Sequence, residues 1–154
     1  MMSNAPMSGP LKGEKICIVG AGFVGSVAAA GFAKFGHDVI CVETDLGKLE
    51  QLQNGNTPFF ERDLNDLLKE GLSCGRLSFT SDIVEAVKGR KAIFITVGTP
   101  SVDGGRADTS YILKAIQDIV DHMEPGQIIV LKSTVPVGTA GSIIDFLNSN
   151  GSAG

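Results

Sequence analysis

Three glycines spaced as Gly20-x-Gly22-x-x-Gly25 end a short β-branched run, Lys15-Ile-Cys-Ile-Val19. That placement suits the binding of a pyrophosphate. Gly20 can adopt the backbone angles of a tight strand-to-helix turn. Gly22 leaves the main chain bare for a phosphate to approach, and Gly25 lets the following helix lie close on the strand. The helix start adds unpaired N–H groups and the positive end of a helix dipole. About twenty positions further on, a second apolar run, Asp38-Val-Ile-Cys-Val42, ends in Glu43. A carboxylate there can accept hydrogen bonds from ribose hydroxyls and repels a 2′-phosphate, which favours NAD over NADP. The plainer alternative is an ordinary βαβ unit whose glycines serve packing alone.

These groups need a frame, and the hydrophobic pattern supplies one. Strands are expected at Lys15–Val19, Asp38–Val42, Leu77–Thr80, 91–97 and 127–131. Between them lie helices over 23–35 (closed by Gly36), Leu46–Gln53 (capped by Asp45) and a Leu64-x-x-Leu67-Leu68 stretch closed by Gly71. A helix of about two turns follows, with Ser81 or Asp82 as its cap. A longer one is capped by Asp108, with Tyr111, Ile112, Ala115, Ile116, Ile119 and Val120 on one face, and a last one spans 138–147. Alternating strands and helices predict an α/β fold, a Rossmann-type doubly wound parallel sheet with helices on both faces. Ligands of such sheets sit beyond the carboxyl ends of the strands, where strand order reverses. Four loops are expected on that rim: 20–25, 43–48, 98–101 and 133–135.

Length and composition fit this frame. The 154 residues suit one domain with a real core, and 43% hydrophobic residues argue against disorder. A net charge of −4 with no basic stripe gives no support for nucleic-acid binding. No apolar run approaches the roughly 20 residues that span a bilayer. Residues 1–13 lack a signal core and are read as a disordered leader or tag, 14–148 as the domain, and 149–154 as a flexible tail. Cys17 and Cys41 fall inside strands and Cys74 in a turn, which is neither a disulfide nor a metal framework; no metal site is expected. The expectation is a reduced, cytoplasmic protein.

The rim loops also carry a resemblance. Gly20-Ala-Gly-Phe-Val-Gly25, Gly36-His-Asp-Val39, Pro58-Phe-Phe-Glu61, Gly75-Arg-Leu-Ser-Phe-Thr80, Val97-Gly-Thr-Pro100, Asp103-Gly-Gly-Arg-Ala-Asp108 and Lys132-Ser-Thr-Val-Pro-Val-Gly138 resemble the N-terminal domain of the UDP-glucose 6-dehydrogenases, within the UDP-glucose/GDP-mannose dehydrogenase family. The resemblance runs from Glu14 to about Leu147. It implies oxidation of the C6 hydroxyl of a nucleotide sugar to a carboxylate, by two hydride transfers to NAD through an aldehyde and a cysteine thioester. Gly20, Ala21, Gly22, Phe23, Val24 and Gly25 would hold the pyrophosphate, Glu43 the adenosine ribose, and Lys48 would stand near the phosphates or ribose. Val97, Gly98, Thr99, Pro100 and Ser101, with Ser133, Thr134 and Val135, would line the nicotinamide side. Thr134 corresponds to a threonine that helps orient water at the reacting centre, an auxiliary catalytic role.

Several of these residues have plainer readings. Glu43 could be a solvated strand end, Lys48 a surface charge, Thr99 a turn residue and Thr134 a partner of its own backbone. Glu43 replaces the Asp more usual in the family, and Glu61-Arg-Asp63 replaces a more usual Glu-Pro-Gly. His37 is read as structural and His122 as solvated.

The resemblance places the family's nucleophilic cysteine, its lysine and asparagine helpers and most sugar contacts on a central helix and a second α/β domain. None of the three cysteines corresponds to that nucleophile. The expectation is therefore an NAD-binding half without full turnover. A UDP-sugar substrate, the C-terminal domain or a partner chain, and a homodimer belong to the complete enzyme. The alternatives are half of a GDP-mannose dehydrogenase, or a stand-alone NAD-binding sensor or subunit completed by a partner chain.

Overall fold

The computed structural model describes residues 13–102 and 106–150. Residues 1–12 of the leader read over 1–13, the Asp103-Gly-Gly part of the loop motif, and 151–154 of the tail lie outside the described residues. Among the described residues thirteen elements follow in order: β1 (Lys15–Val19), α1 (Phe23–Lys34), β2 (Asp38–Val42), α2 (Leu46–Gln53), α3 (Leu64–Ser73), β3 (Leu77–Thr80), α4 (Ile83–Val87), β4 (Ala92–Ile95), β5 (Ser101–Val102), β6 (Arg106–Ala107), α5 (Ser110–Val120), β7 (Ile128–Leu131) and α6 (Thr139–Asn150).

Five strands form one parallel sheet in the order β3-β2-β1-β4-β7. The chain moves outward from β1 through β2 to β3, then crosses back to β4 beside β1. Strand order therefore reverses between β1 and β4, the position where a crevice opens in such sheets. The Rossmann-type fold expected from the sequence is present.

Strand alternation divides the core into two layers. Ile16, Ile18, Val39 and Cys41 face α1, α2 and α3, meeting Ala29, Ala30 and Ala33 of α1 and Leu52 and Leu68 of the next two helices. Cys17, Val19, Ile40, Val42, Ile93 and Ile95 face the other way, against Ala86 and Val87 of α4, Ile112, Ile116 and Ile119 of α5, and Ile143 of α6. β1, β2 and β4 read as apolar runs because both faces are covered, whereas the edge strand β3 alternates, with Ser78 exposed. Alanines on α1 keep that helix close to the sheet.

The structure corrects several expectations. α3 does not close at Gly71 but runs to Ser73. Gly71 serves packing instead: a methyl there would lie 3.0 Å from Leu77 Cβ and 3.4 Å from Ala33 Cβ. Gly75, with φ +70°, makes the turn. β4 and β7 are shorter than the apolar runs that contain them, and α6 continues past Leu147 to Asn150. The loop after Pro100 holds a two-residue antiparallel pair, β5 with β6, that no periodicity announces. Tyr111 was expected on the core face of α5 but is 56% exposed. Asp108 precedes the N-cap, Thr109, and accepts the Ser110 N–H at 2.9 Å.

Candidate functional site

The rim begins as a line of backbone hydrogen bonds. The residue following each strand donates to the last carbonyl of its neighbour: Glu43 N–H to Thr80 O (2.9 Å), Gly20 N–H to Val42 O (3.0 Å), Thr96 N–H to Val19 O (2.9 Å) and Lys132 N–H to Ile95 O (3.0 Å). Four loops thus leave the sheet from one continuous seam.

In the first loop each glycine has its own reason. Gly20 has φ +104°, a left-handed conformation that disfavours a side chain. A methyl on Gly25 would strike the Gly20 carbonyl oxygen and lie 2.7 Å from Thr96 Oγ1. A methyl on Gly22 would meet nothing within 4 Å. The main chain at the N-cap of α1 therefore faces open space, which is the shape a pyrophosphate requires. The turn is braced from behind. Thr96, 7% exposed, donates through Oγ1 to Gly20 O at 2.7 Å, with Val19 O at 3.1 Å. The buried Ser26 hydroxyl donates to Ala21 O at 3.0 Å.

Beside this turn lies a cavity of about 450 Å³, with Val19, Gly20, Val42, Ile83, Val97 and Ala115 as its apolar walls. Glu43, Thr44, Ser81, Tyr111, Lys114 and Asp118 supply its polar groups. Glu43 is half-buried, and its Oε1 accepts the Asp45 N–H at 2.9 Å, which fixes the carboxylate against its own loop. Asp45 caps α2 by accepting the Lys48 N–H at 3.0 Å. The Lys48 side chain is exposed and is not a wall of the cavity.

The loops after β4 and β7 meet each other. Ser133 Oγ donates to Val97 O at 2.7 Å, and the hydroxyls of Thr99 and Thr134 stand 3.3 Å apart. Pro100 O accepts the Asp108 N–H at 2.8 Å, tying the start of the β5–β6 excursion to its end. The Ser110 hydroxyl and N–H beside Asp108 hold its carboxyl below the usual range. Val135 packs half-buried toward the α5 layer, while Phe23 and Val24 are exposed at 52% and 44% on the first turn of α1. The Phe23 ring lies 5.6 Å from that of Phe59.

The cysteines stay outside this arrangement. Burial pushes the Cys17 thiol up to about 12 and the Cys41 thiol well above its ordinary value, so both remain protonated. Cys74 is exposed just after α3, at the end of the sheet opposite the rim. Among the described residues no cluster of His, Cys, Asp and Glu could hold a metal ion, and no helix is long and apolar enough to cross a membrane.

This geometry meets an independent finding. Residues 14–153 match the NAD-binding domain of the UDP-glucose/GDP-mannose dehydrogenase family. The chain belongs to that family. A UDP-glucose 6-dehydrogenase of Rhizobium meliloti (strain 1021) is 45% identical over 130 residues, which make up 84% of this chain and 30% of that protein. A GDP-mannose dehydrogenase of Pseudomonas aeruginosa, solved as a ternary complex, superposes with a TM-score of 0.82 at 35% identity, covering 87% of this chain and 32% of that one. A UDP-glucose dehydrogenase of Pyrobaculum islandicum gives 0.83 at 32% identity, covering 96% and 34%. The chain spans about a third of the length of these relatives.

This family domain binds NAD, and the residues present fit it. The bare main chain at Gly22 suits a pyrophosphate, and the cavity beside Gly20 carries both the Glu43 carboxylate and an apolar wall, groups that suit a ribose and a base. Gly20, Glu43 and Val97 share one cavity, Ser133 joins it through its bond to Val97 O, and Thr99 and Thr134 meet each other outside its walls. Sequence reasoning missed Thr96, Tyr111, Lys114 and Asp118. The last three stand at i, i+3 and i+7 on α5, a stripe beside the core face whose spacing carried the signal.

Proposed function

We propose that this region is the cofactor-binding part of an NAD-dependent dehydrogenase that oxidises the C6 hydroxyl of UDP-glucose to a carboxylate in two steps. The observation that carries the reading is the meeting, on one rim, of the unobstructed Gly22 turn, the fixed Glu43 carboxylate and the paired threonines. When bound, NAD supplies the hydride acceptor. The chain's own residues do the rest of the work on this side. Ala21, Gly22, Phe23, Val24 and Gly25 present main-chain N–H groups and the α1 dipole to the pyrophosphate, while Gly20, whose own N–H is held by Val42 O, shapes the turn beneath it. Glu43 offers its remaining oxygen to the ribose hydroxyls, and its charge disfavours a 2′-phosphate. Lys48, exposed and outside the cavity walls, adds a cation on the side of the cofactor phosphates or ribose.

Val97, Gly98, Thr99, Pro100 and Ser101, with Ser133, Thr134 and Val135, form the wall of the nicotinamide side. Thr134 orients water there, and Thr99, in hydrogen-bond range, fixes the direction of the Thr134 hydroxyl. The nucleophilic cysteine and the sugar-binding groups belong to the part of the relatives that lies outside the match. UDP-glucose is preferred over GDP-mannose because the 45% identical relative is a UDP-glucose 6-dehydrogenase.

Calorimetric titration of the 154-residue chain with NAD and NADP, beside Glu43→Ala, tests the cofactor site. Saturable NAD binding that is lost in the variant and poor for NADP is expected. A well-folded chain that ignores NAD overturns the site assignment.

A further inference from the structure

We propose that the Lys114–Asp118 pair on α5 sets the cofactor preference of this cavity, by denying a 2′-phosphate the cation it needs. The inference rests on the NAD reading above. It starts from the charges on the wall. Three charged side chains line the cavity: Glu43, Lys114 and Asp118. Lys114 is the cation among them. Its Nζ lies 3.2 Å from Asp118 Oδ2, one helical turn on. An i,i+4 pair of this kind adds only a few tenths of a kcal/mol to helix stability.

With Lys114 held by Asp118, the wall presents a compensated pair from α5 and the Glu43 carboxylate from the β2 loop. A ribose with free hydroxyls suits that environment. A 2′-phosphate meets Glu43 and Asp118, and no uncompensated cation among the described wall residues. Without the Asp118 charge, the flexible lysine stem can bring its ammonium to the phosphate as a point charge. Discrimination against NADP is thus the joint work of Glu43, which repels directly, and Asp118, which withholds Lys114.

The test is calorimetric titration of the full chain with NAD and with NADP, in wild type, Asp118→Asn, Lys114→Ala and the double variant. Asp118→Asn is expected to tighten NADP relative to NAD by about three- to tenfold, the scale of one charge change in a solvent-screened cavity. Adding Lys114→Ala should abolish that gain, and raising the salt should shrink it. Lys114→Ala alone uncovers the Asp118 carboxylate and should weaken NADP relative to NAD by a comparable factor. An unchanged ratio in Asp118→Asn, or a gain that survives the loss of Lys114, overturns the inference and leaves the NAD site standing. Wild type that binds neither nucleotide overturns the NAD reading, and this inference with it. Circular dichroism on each variant secures the fold, and both side chains are solvent-exposed, at 75% and 42%.

Discussion

Replacing Gly25 by alanine drives a methyl group into the Gly20 carbonyl oxygen and to 2.7 Å from Thr96 Oγ1. Both neighbours are fixed. Gly20 is held by its N–H bond to Val42 O and Thr96 by its N–H bond to Val19 O. α1 must therefore move off the sheet, or the turn must open. Overpacking against a rigid neighbour costs about 1–3 kcal/mol and sometimes more. The clash here reaches main chain on one side, which puts the cost at the upper end. Against it stands the gain of about 1 kcal/mol when alanine replaces glycine inside a helix. The net expectation is a loss of about 2 kcal/mol, or roughly 4–8 °C in melting temperature for a chain of this size.

Gly22→Ala is the control, because a methyl there meets nothing and φ is −70°. Alanine caps a helix less well than glycine, at a cost of about 0.5–1 kcal/mol. Its methyl instead fills the approach to the pyrophosphate, and NAD binding should fall by about tenfold or more, equivalent to at least ~1.4 kcal/mol. Urea unfolding and NAD titration of both variants separate the two roles. Equal stability of Gly25→Ala and wild type, or unchanged NAD affinity in Gly22→Ala, refutes the division of labour among the glycines.

Four further outcomes are expected. Thr96→Val removes the hydroxyl that braces the Gly20 carbonyl and should cost about 1–2 kcal/mol, visible as a lower urea midpoint with an unchanged slope. Asp63→Gly should stabilise by about 0.5 kcal/mol, because Asp63 sits at φ +63° in the left-handed region; a lower midpoint would contradict this. At pH 8 a thiol reagent should label Cys74 alone in the native protein and all three cysteines after denaturation. The raised Cys17 value also means stability is fully present below pH 9.0 and is lost as pH rises toward about 12, since the unfolded thiol ionises first.

Much of the frame was legible because parallel strands buried on both faces cannot hide. β1 and β2 are apolar runs cut off by Gly20 and Glu43, β3 is an alternating Leu-Ser-Phe-Thr stretch cut off by Ser81, and the bounds of all three coincide with the structure. α2 was equally plain, since Asp45 is a cap and Asn54-Gly55 a stop. Gly71 misled because glycine has two uses. It ends helices through backbone freedom and lets elements touch through lack of volume, and sequence alone does not say which applies. Asp63 is the converse case, a left-handed position filled by a residue that does not advertise it. The β5–β6 pair is too short to show a period. Tyr111 misled because a phenol counts as apolar in a helical stripe, yet here it faces the cavity with Lys114 and Asp118. The rim loops were found, but their mutual contacts, Thr99 with Thr134 and Ser133 with Val97, join residues far apart in the chain.

The seam at the roots of the rim loops has a mechanical consequence. Glu43, Gly20, Thr96 and Lys132 each hang from a neighbouring strand by a main-chain bond, so no loop root can shift without dragging the next. Closure around a bound molecule would carry all four loops as a single plate. Adaptation to the occupant is left to the tips beyond that plate, where Thr44, Pro100 and Val137 stand free of it.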